Sequence, residues 1–300
     1  MNFKNILNDI AKTDPEVYEK LSSRRHVLKS FAPKVALAAL PFAVGSLFNK
    51  AYGKVTDSVT DALNAVLEMA YMQYNLYHIA NNTGNLIPPN TTSGNNDQPG
   101  FKTIEQQELE HINFLTNLVT TVGGVPFTPK GYNPANVNPA FVPSAYDFTA
   151  QKDPNYAPIF VNVFNNYPTF LTLAQLLEDT SVHNYEGEIP GVFSNTTVLT
   201  NMFQLLTDEA RHAAHVRYLR RMPNVNAPDY PAPWIDNNIP PAVAFQQYYN
   251  GEDNVVQNGI TITSLPGING NIPKISATAA FDEPYDLATV RKLILPFKTV

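Results

Sequence analysis

Apolar residues recur every three or four positions in four long stretches of the chain, and that spacing predicts four amphipathic helices. The first covers 57–80, where Val59, Leu63, Val66, Leu67, Ala70, Tyr74 and Tyr77 form one stripe behind Asp57 as N-cap. The second covers 103–122. It opens on Thr103-Ile104-Glu105-Gln106, which reads as a capping box with Glu105 as a first-turn acid, and it ends at Gly123-Gly124. The third covers 168–186, with Pro168 in its first turn after Asn166, and stops at Gly187 and Pro190. The fourth covers 196–222. It is capped by Asn195 and ended by Pro223, and Arg217, Arg220 and Arg221 lie near the negative end of its dipole.

The connections complete the outline. Residues 81–100 are rich in Asn, Thr, Pro and Gly and read as a loop. Residues 124–166 are too long for an ordinary connection, and a crossover between parallel helices would require that length. Residues 223–280 return to Pro, Asn and Gly with a short β-like run at 260–262, which predicts an irregular wrap over the bundle. A last amphipathic helix, 286–295, would dock through Leu287, Val290, Leu293 and Ile294. The expected fold is all-α: an up-down four-helix bundle with one long crossover, an irregular extension and a terminal helix.

Composition adds two constraints. Hydrophobic residues make up 44% of the 300, enough for one large core. There is no cysteine, so any metal must be held by nitrogen and oxygen. The N-terminus separates from the rest. Ser23-Arg24-Arg25-His26-Val27-Leu28-Lys29 precedes an apolar run over 35–48 and then Ala51-Tyr52-Gly53. This order is that of a cleaved export signal, and the run is short for a membrane span. It resembles a twin-arginine signal, with Val27 where Phe is usual and Lys34 near the start of the apolar run. An uncleaved anchor or a plain amphipathic helix is the alternative. The expected organisation is a signal at 1–53, a bundle at 54–222 and a wrap at 223–300. The mature protein would be periplasmic or in the cell envelope, without a stable membrane anchor. Residues 1–53 carry 8 Lys+Arg against 4 Asp+Glu, so cleavage takes the net charge from −6 to −10. Such a charge argues against nucleic acid or an anionic membrane as partner and favours cations.

The candidate chemistry lies at the centres of the predicted helices. Glu-x-x-His occurs twice, at Glu108/His111 and Glu209/His212, which puts a carboxylate and an imidazole on one helix face. With 12 Glu and 6 His in the chain, chance gives about 0.2 such pairs. Glu68 and Glu178 lie near the middles of the other two helices. In a bundle the middles share a plane, so these six residues would converge at one level of the core. Four carboxylates in a dry core need cations, and two divalent ions would balance them. Oxygen and imidazole ligands suit iron or manganese better than Cu(I), with zinc compatible. The set has the form known for carboxylate-bridged di-iron and di-manganese proteins, a Glu from each of two helices and Glu-x-x-His from each of the other two.

The chain also resembles the ferritin-like superfamily, in particular its exported group that includes desiccation-related proteins. The resemblance is carried by Leu176-Leu177-Glu178-Asp179-Thr180-Ser181-Val182 with Tyr185, by Glu209-Ala210-Arg211-His212-Ala213 and by Phe281-Asp282-Glu283-Pro284. It implies that Glu108 and Glu209 bridge two metal ions, that His111 and His212 each bind one, and that Glu68 and Glu178 are terminal ligands. Tyr71 and Gln73 stand where some relatives carry a second acid, so the resemblance does not fix the ligand from the first helix. Tyr185, two turns from Glu178, is a candidate hydrogen-bond partner for a ligand. The function implied is oxidation of Fe(II) or consumption of O2 or peroxide at two iron or two manganese ions, in a monomer or small homo-oligomer. The rival is a stress-protective structural protein whose metal only holds the bundle together.

Overall fold

The computed structural model describes residues 58–88, 97–151, 158–222 and 231–299. The expected export signal at 1–53 lies outside the described residues. Among the described residues no helix is long and apolar enough to cross a membrane.

Four long helices form the body. α1 spans Val59–Asn82 and is capped by Ser58, not Asp57. Ser58 Oγ accepts from the Asp61 N–H at 3.2 Å, and Asp61 Oδ2 accepts from the Ser58 N–H at 3.2 Å. That reciprocal pair satisfies two orphan donors. α2 spans Asp97–Thr121, so it begins well before Thr103. Thr103 is an interior residue whose hydroxyl donates to Pro99 O. Pro99 is tolerated because a first-turn residue needs no N–H partner. The added turns bring Phe101 into the core against Phe170, with ring centroids 5.2 Å apart. α3 spans Tyr167–Glu188 and α4 spans Thr196–Arg221, capped as expected by Asn166 and Asn195, which accept from the N–H groups of Thr169 and Val198.

The helices pack as two hairpins. α1 packs mainly on α2, α3 on α4, and α1 on α3, while α2 and α4 meet only lightly. Gly124, past the end of α2, lies against Thr60 at the start of α1. Tyr167, at the start of α3, donates through its hydroxyl to Asp97 at the start of α2. α2 and α3 therefore run parallel, and the chain between them must travel the length of the bundle. That is the expected crossover. Two buried or half-buried amides on α1 pin it. Asn64 donates to Val125 O and accepts from the Phe127 N–H. Asn75 donates to Ala140 O and accepts from the Val142 N–H. Each amide pairs with backbone groups that have left regular structure.

The C-terminal part is irregular with small ordered pieces. β1 (Val256–Gln257) pairs antiparallel with β2 (Ile260–Thr261) across Asn258-Gly259, both with positive φ, 51° and 79°. Asn-Gly suits this tight turn because both residues tolerate the left-handed region. β3 (Pro266–Gly267) and β4 (Gly270–Asn271) form a second antiparallel pair. α5 spans Lys274–Thr278; α6 spans Leu287–Ile294, with Asp286 as N-cap, and packs on α3. The chain then returns to the crossover: Thr299 N–H donates to Ala145 O, and Asp147 N–H to Phe297 O.

Candidate metal centre

α3 is buried along most of its length, and its interior carries Gln175, Glu178, Asp179, Ser181, His183 and Asn184. Burial on this scale demands partners for each polar group. Asp179 has them: the Arg217 guanidinium of α4 grips it through two bonds, 2.8 and 2.5 Å, and the Tyr249 hydroxyl donates to it at 2.6 Å. This ion pair fastens α3, α4 and the C-terminal wrap together.

One position back along α3, Glu178 enters a different cluster. Glu108, Glu178, Glu209 and His212 each place one ligand atom within 4.8 Å of the other three, and all four are buried. His111 joins them, with Nδ1 3.0 Å from Glu209 Oε1 and 3.5 Å from Glu108 Oε2. The two imidazole rings stack, with centroids 6.0 Å apart. Five of the six residues singled out in the sequence thus meet at one level of the bundle.

Glu68 does not join them. It is buried elsewhere on α1 and accepts from Lys298 Nζ at 2.5 Å. At the level of the cluster α1 presents Gln73, fully buried, whose Nε2 donates to Glu178 Oε2 at 2.9 Å and Glu209 Oε2 at 3.0 Å. One turn further, the Tyr77 hydroxyl donates to Glu178 Oε1. Gln73 and Tyr77 are four apart, so they share a helix face and hold both oxygens of Glu178. Five positions separate Glu68 from Gln73, about 140° around a helix, so only one of them can face the centre. Tyr185 is fully buried, but among the described residues its hydroxyl has no hydrogen-bond partner; the tyrosine that bonds a cluster carboxylate is Tyr77, which donates to Glu178.

The outer imidazole nitrogens are also engaged. His111 Nε2 donates to Asp208 Oδ2 at 3.1 Å, and His212 Nε2 to Gln107 Oε1 at 3.0 Å. Arg211 in turn donates to Asp208. Such contacts fix ring orientation and leave Nδ1 of each ring to face the carboxylates. Asp208 and Gln107 each precede a cluster glutamate by one position, and that adjacency is the only signal the sequence offers for them. Glu105 is not a first-turn acid: it accepts from His78 and Asn81 of α1 and so fixes α2 against α1.

The cluster carries an unresolved polar demand. Glu108 Oε2, His111 Nδ1 and Glu209 Oε1 are buried and face one another at 3.0 and 3.5 Å, and among the described residues none of them has a well-formed hydrogen bond. Buried groups in that condition are costly unless something else binds them. A cation coordinated by hard oxygen and imidazole ligands satisfies all three, so the residues present fit a metal. The ionisation of the cluster agrees. Burial, then the charges of Glu209 and Glu108, pushes Glu178 well above the usual carboxylate range, against the pull of His212. Burial would also raise Glu209, but contact with His111 and the charges of both histidines outweigh it and hold that carboxyl low. Burial lowers His111, yet its contacts with Glu108 and Glu209 prevail and push it up to about 11. His212 rises to about 9 on the same balance. Without metal the imidazoles hold protons against the carboxylates, and binding a cation would displace them.

Comparison with curated proteins returns no match. A family model for a ferritin-like domain matches residues 58–221, which begin at the cap of α1 and end with α4. The match takes in all four bundle helices and every residue of the cluster, and the chain belongs to the ferritin-like domain family.

Proposed function

We propose that the protein is an exported metalloprotein whose cluster holds two iron or two manganese ions and uses them to oxidise Fe(II) or to consume O2 or peroxide. The observation that carries this reading is the convergence of Glu108, Glu178, Glu209 and His212 within 4.8 Å of one another, with His111 Nδ1 3.0 Å from Glu209 Oε1. Glu108 and Glu209 would bridge the ions, Glu178 and His212 would hold one of them, and His111 the other. When bound, such ions supply redox equivalents and Lewis acidity. The chain supplies the rest. Tyr77 and Gln73 hold Glu178, while Asp208 and Gln107 orient the two rings. The ligand groups are at most 5% exposed, which keeps bulk water from the reacting atoms. The membership in the exported, desiccation-related group and the twin-arginine route belong to the same proposal.

Two measurements test it. The purified protein is analysed for bound metal, then supplied with Fe(II) and O2, or with peroxide. Bound metal with turnover supports the reading, and Glu209→Ala should abolish both. Bound metal with no turnover favours the structural rival, and no metal under any loading condition removes the centre altogether. For export, replacing Arg24 and Arg25 by Lys should retain the protein in the cytoplasm. Unchanged fractionation of that variant would rule out the twin-arginine route.

A further inference from the structure

A cavity of about 420 Å³ lies where the wrap crosses α3 and α4, and no residue of the metal centre lines it. α4 turns Ala210, Ala213 and Ala214 toward it, three side chains too short to fill the space beneath the wrap. Val182 of α3 and Ile235 extend this apolar wall. Trp234 and Phe281 line it too, although both are exposed.

The charge at the cavity is negative and unbalanced. Asp179 and Arg217 border it as a closed pair, since the guanidinium bonds Asp179 and the Trp234 carbonyl. Glu186 and Asp282 border it without such a pairing. Glu186 Oε2 is buried, and among the described residues it has no hydrogen-bond partner. Glu252, only 1% exposed, accepts the Glu283 N–H at Oε1 and leaves Oε2 buried in the same state. Burial and the charges of Asp282 and Glu283 raise Glu186, and burial raises Asp282 against the pull of His183 and Arg217. His183 Nδ1 donates to Glu283 O at 2.7 Å. Acids crowded in this way are steadied by a positive charge placed among them.

A metal ion would need oxygens that converge on a point. Among the described residues only the cluster at the bundle centre brings three or more ligand atoms within 4.8 Å of one another, and none of these acids belongs to it. An organic cation needs no such convergence. It needs carboxylates for its head and apolar surface for its body, and small-molecule sites combine the two in these proportions. Exposed aromatic faces beside the acids attract a cation further.

We propose that this cavity binds a small organic ammonium ion. Glu186 and Asp282 receive the ammonium, and the alanine floor with Trp234, Ile235 and Phe281 receives the apolar body. The site is separate from the metal centre and does not depend on it.

Trp234 is the only tryptophan of the chain, so its fluorescence reports on this cavity. The test titrates the full-length protein with phenethylammonium, with its uncharged counterpart phenethyl alcohol and with Ca(II), and calorimetry gives the affinities. The ammonium should produce a saturable change in Trp234 fluorescence and bind at least about 10-fold more tightly than the alcohol. Glu186→Gln should weaken the ammonium by about 10-fold and leave the alcohol unchanged. Its melting temperature should be no lower than the parent's, because one of the mutually repelling acids is gone. Asp282→Asn should weaken the ammonium in the same direction. Equal affinity for ammonium and alcohol, no saturable response to the ammonium, or ammonium binding that neither variant weakens would overturn the proposal. Binding of Ca(II) that Glu186→Gln abolishes, without binding of the ammonium, would give these acids to a metal ion and overturn it as well. None of these results bears on the metal content of the bundle centre.

Discussion

At the scale of single residues, the instructive pair is Glu68 and Gln73. They stand on either side of the middle of α1. Periodicity locates the middle of a helix to within about a turn, so it cannot choose between two polar residues that both lie near the right height. Carboxylate chemistry favoured Glu68; the structure gives its charge to Lys298, a partner 230 positions away that no local pattern announces. Lys298→Met would strand a buried carboxylate and should cost about 1–3 kcal/mol in denaturant unfolding. Restoring the balance with Glu68→Leu in the same chain should recover most of that loss. Neither change should alter the amount of metal bound. A fall in metal content on replacing Glu68 alone would place it back among the ligands. The Glu-x-x-His pairs were readable because both members lie on one helix and their spacing is itself the evidence. Asp208 and Gln107 act across to another helix, and nothing in their spacing records that.

At the scale of elements, the ends that carry a cap in the sequence are where the structure puts them. Asn166 with Pro168, Asn195, and Asp286 each start their helix. α1 starts one residue later than expected, at Ser58, and α2 departs further, because Thr103 has the residues of a capping box and bonds instead to the carbonyl four positions back. The earlier start goes with full burial of Phe101 in the core, which favours it. The crossover was legible from its length alone, while its attachment was not. Asn75 looks like any polar residue in an apolar stretch, yet it holds the crossover backbone by one donated and one accepted bond. Asn75→Ala should lose about 2–3 kcal/mol of stability, since it leaves Ala140 O and the Val142 N–H unpaired in a buried place. Limited proteolysis should then cut within 122–166 sooner than in the wild type. A variant as stable and as resistant as the parent would mean that the crossover is held by its apolar side chains instead.

At the scale of the whole molecule, buried acids set the response to pH. Glu186 and Glu252 are each pushed up to about 9, by burial first and then by the charge of Asp282. Burial raises Asp282 as well. A carboxyl with a raised pKa keeps its proton in the folded state over a range where the unfolded chain has lost it. The folded state then binds more protons, and stability falls as pH rises through that range. The denaturant midpoint of the metal-free protein should therefore decline between about pH 5 and pH 9. The histidines at the centre, raised to about 11 and 9, act with the same sign above their ordinary value. A midpoint flat or rising over this interval would show that the wrap around α3 does not hold those acids neutral. The same global view gives meaning to the light contact between α2 and α4. The outer nitrogens of both rings face that seam, closed by Gln107, Asp208 and the exposed Arg211. An ion entering the proposed centre through this seam would have to part the two helices and displace these bonds. If the proposed centre holds metal, exchange with the surroundings would then be timed by the breathing of the bundle, and a chelator should strip the ion faster from a variant whose α2–α4 seam is loosened.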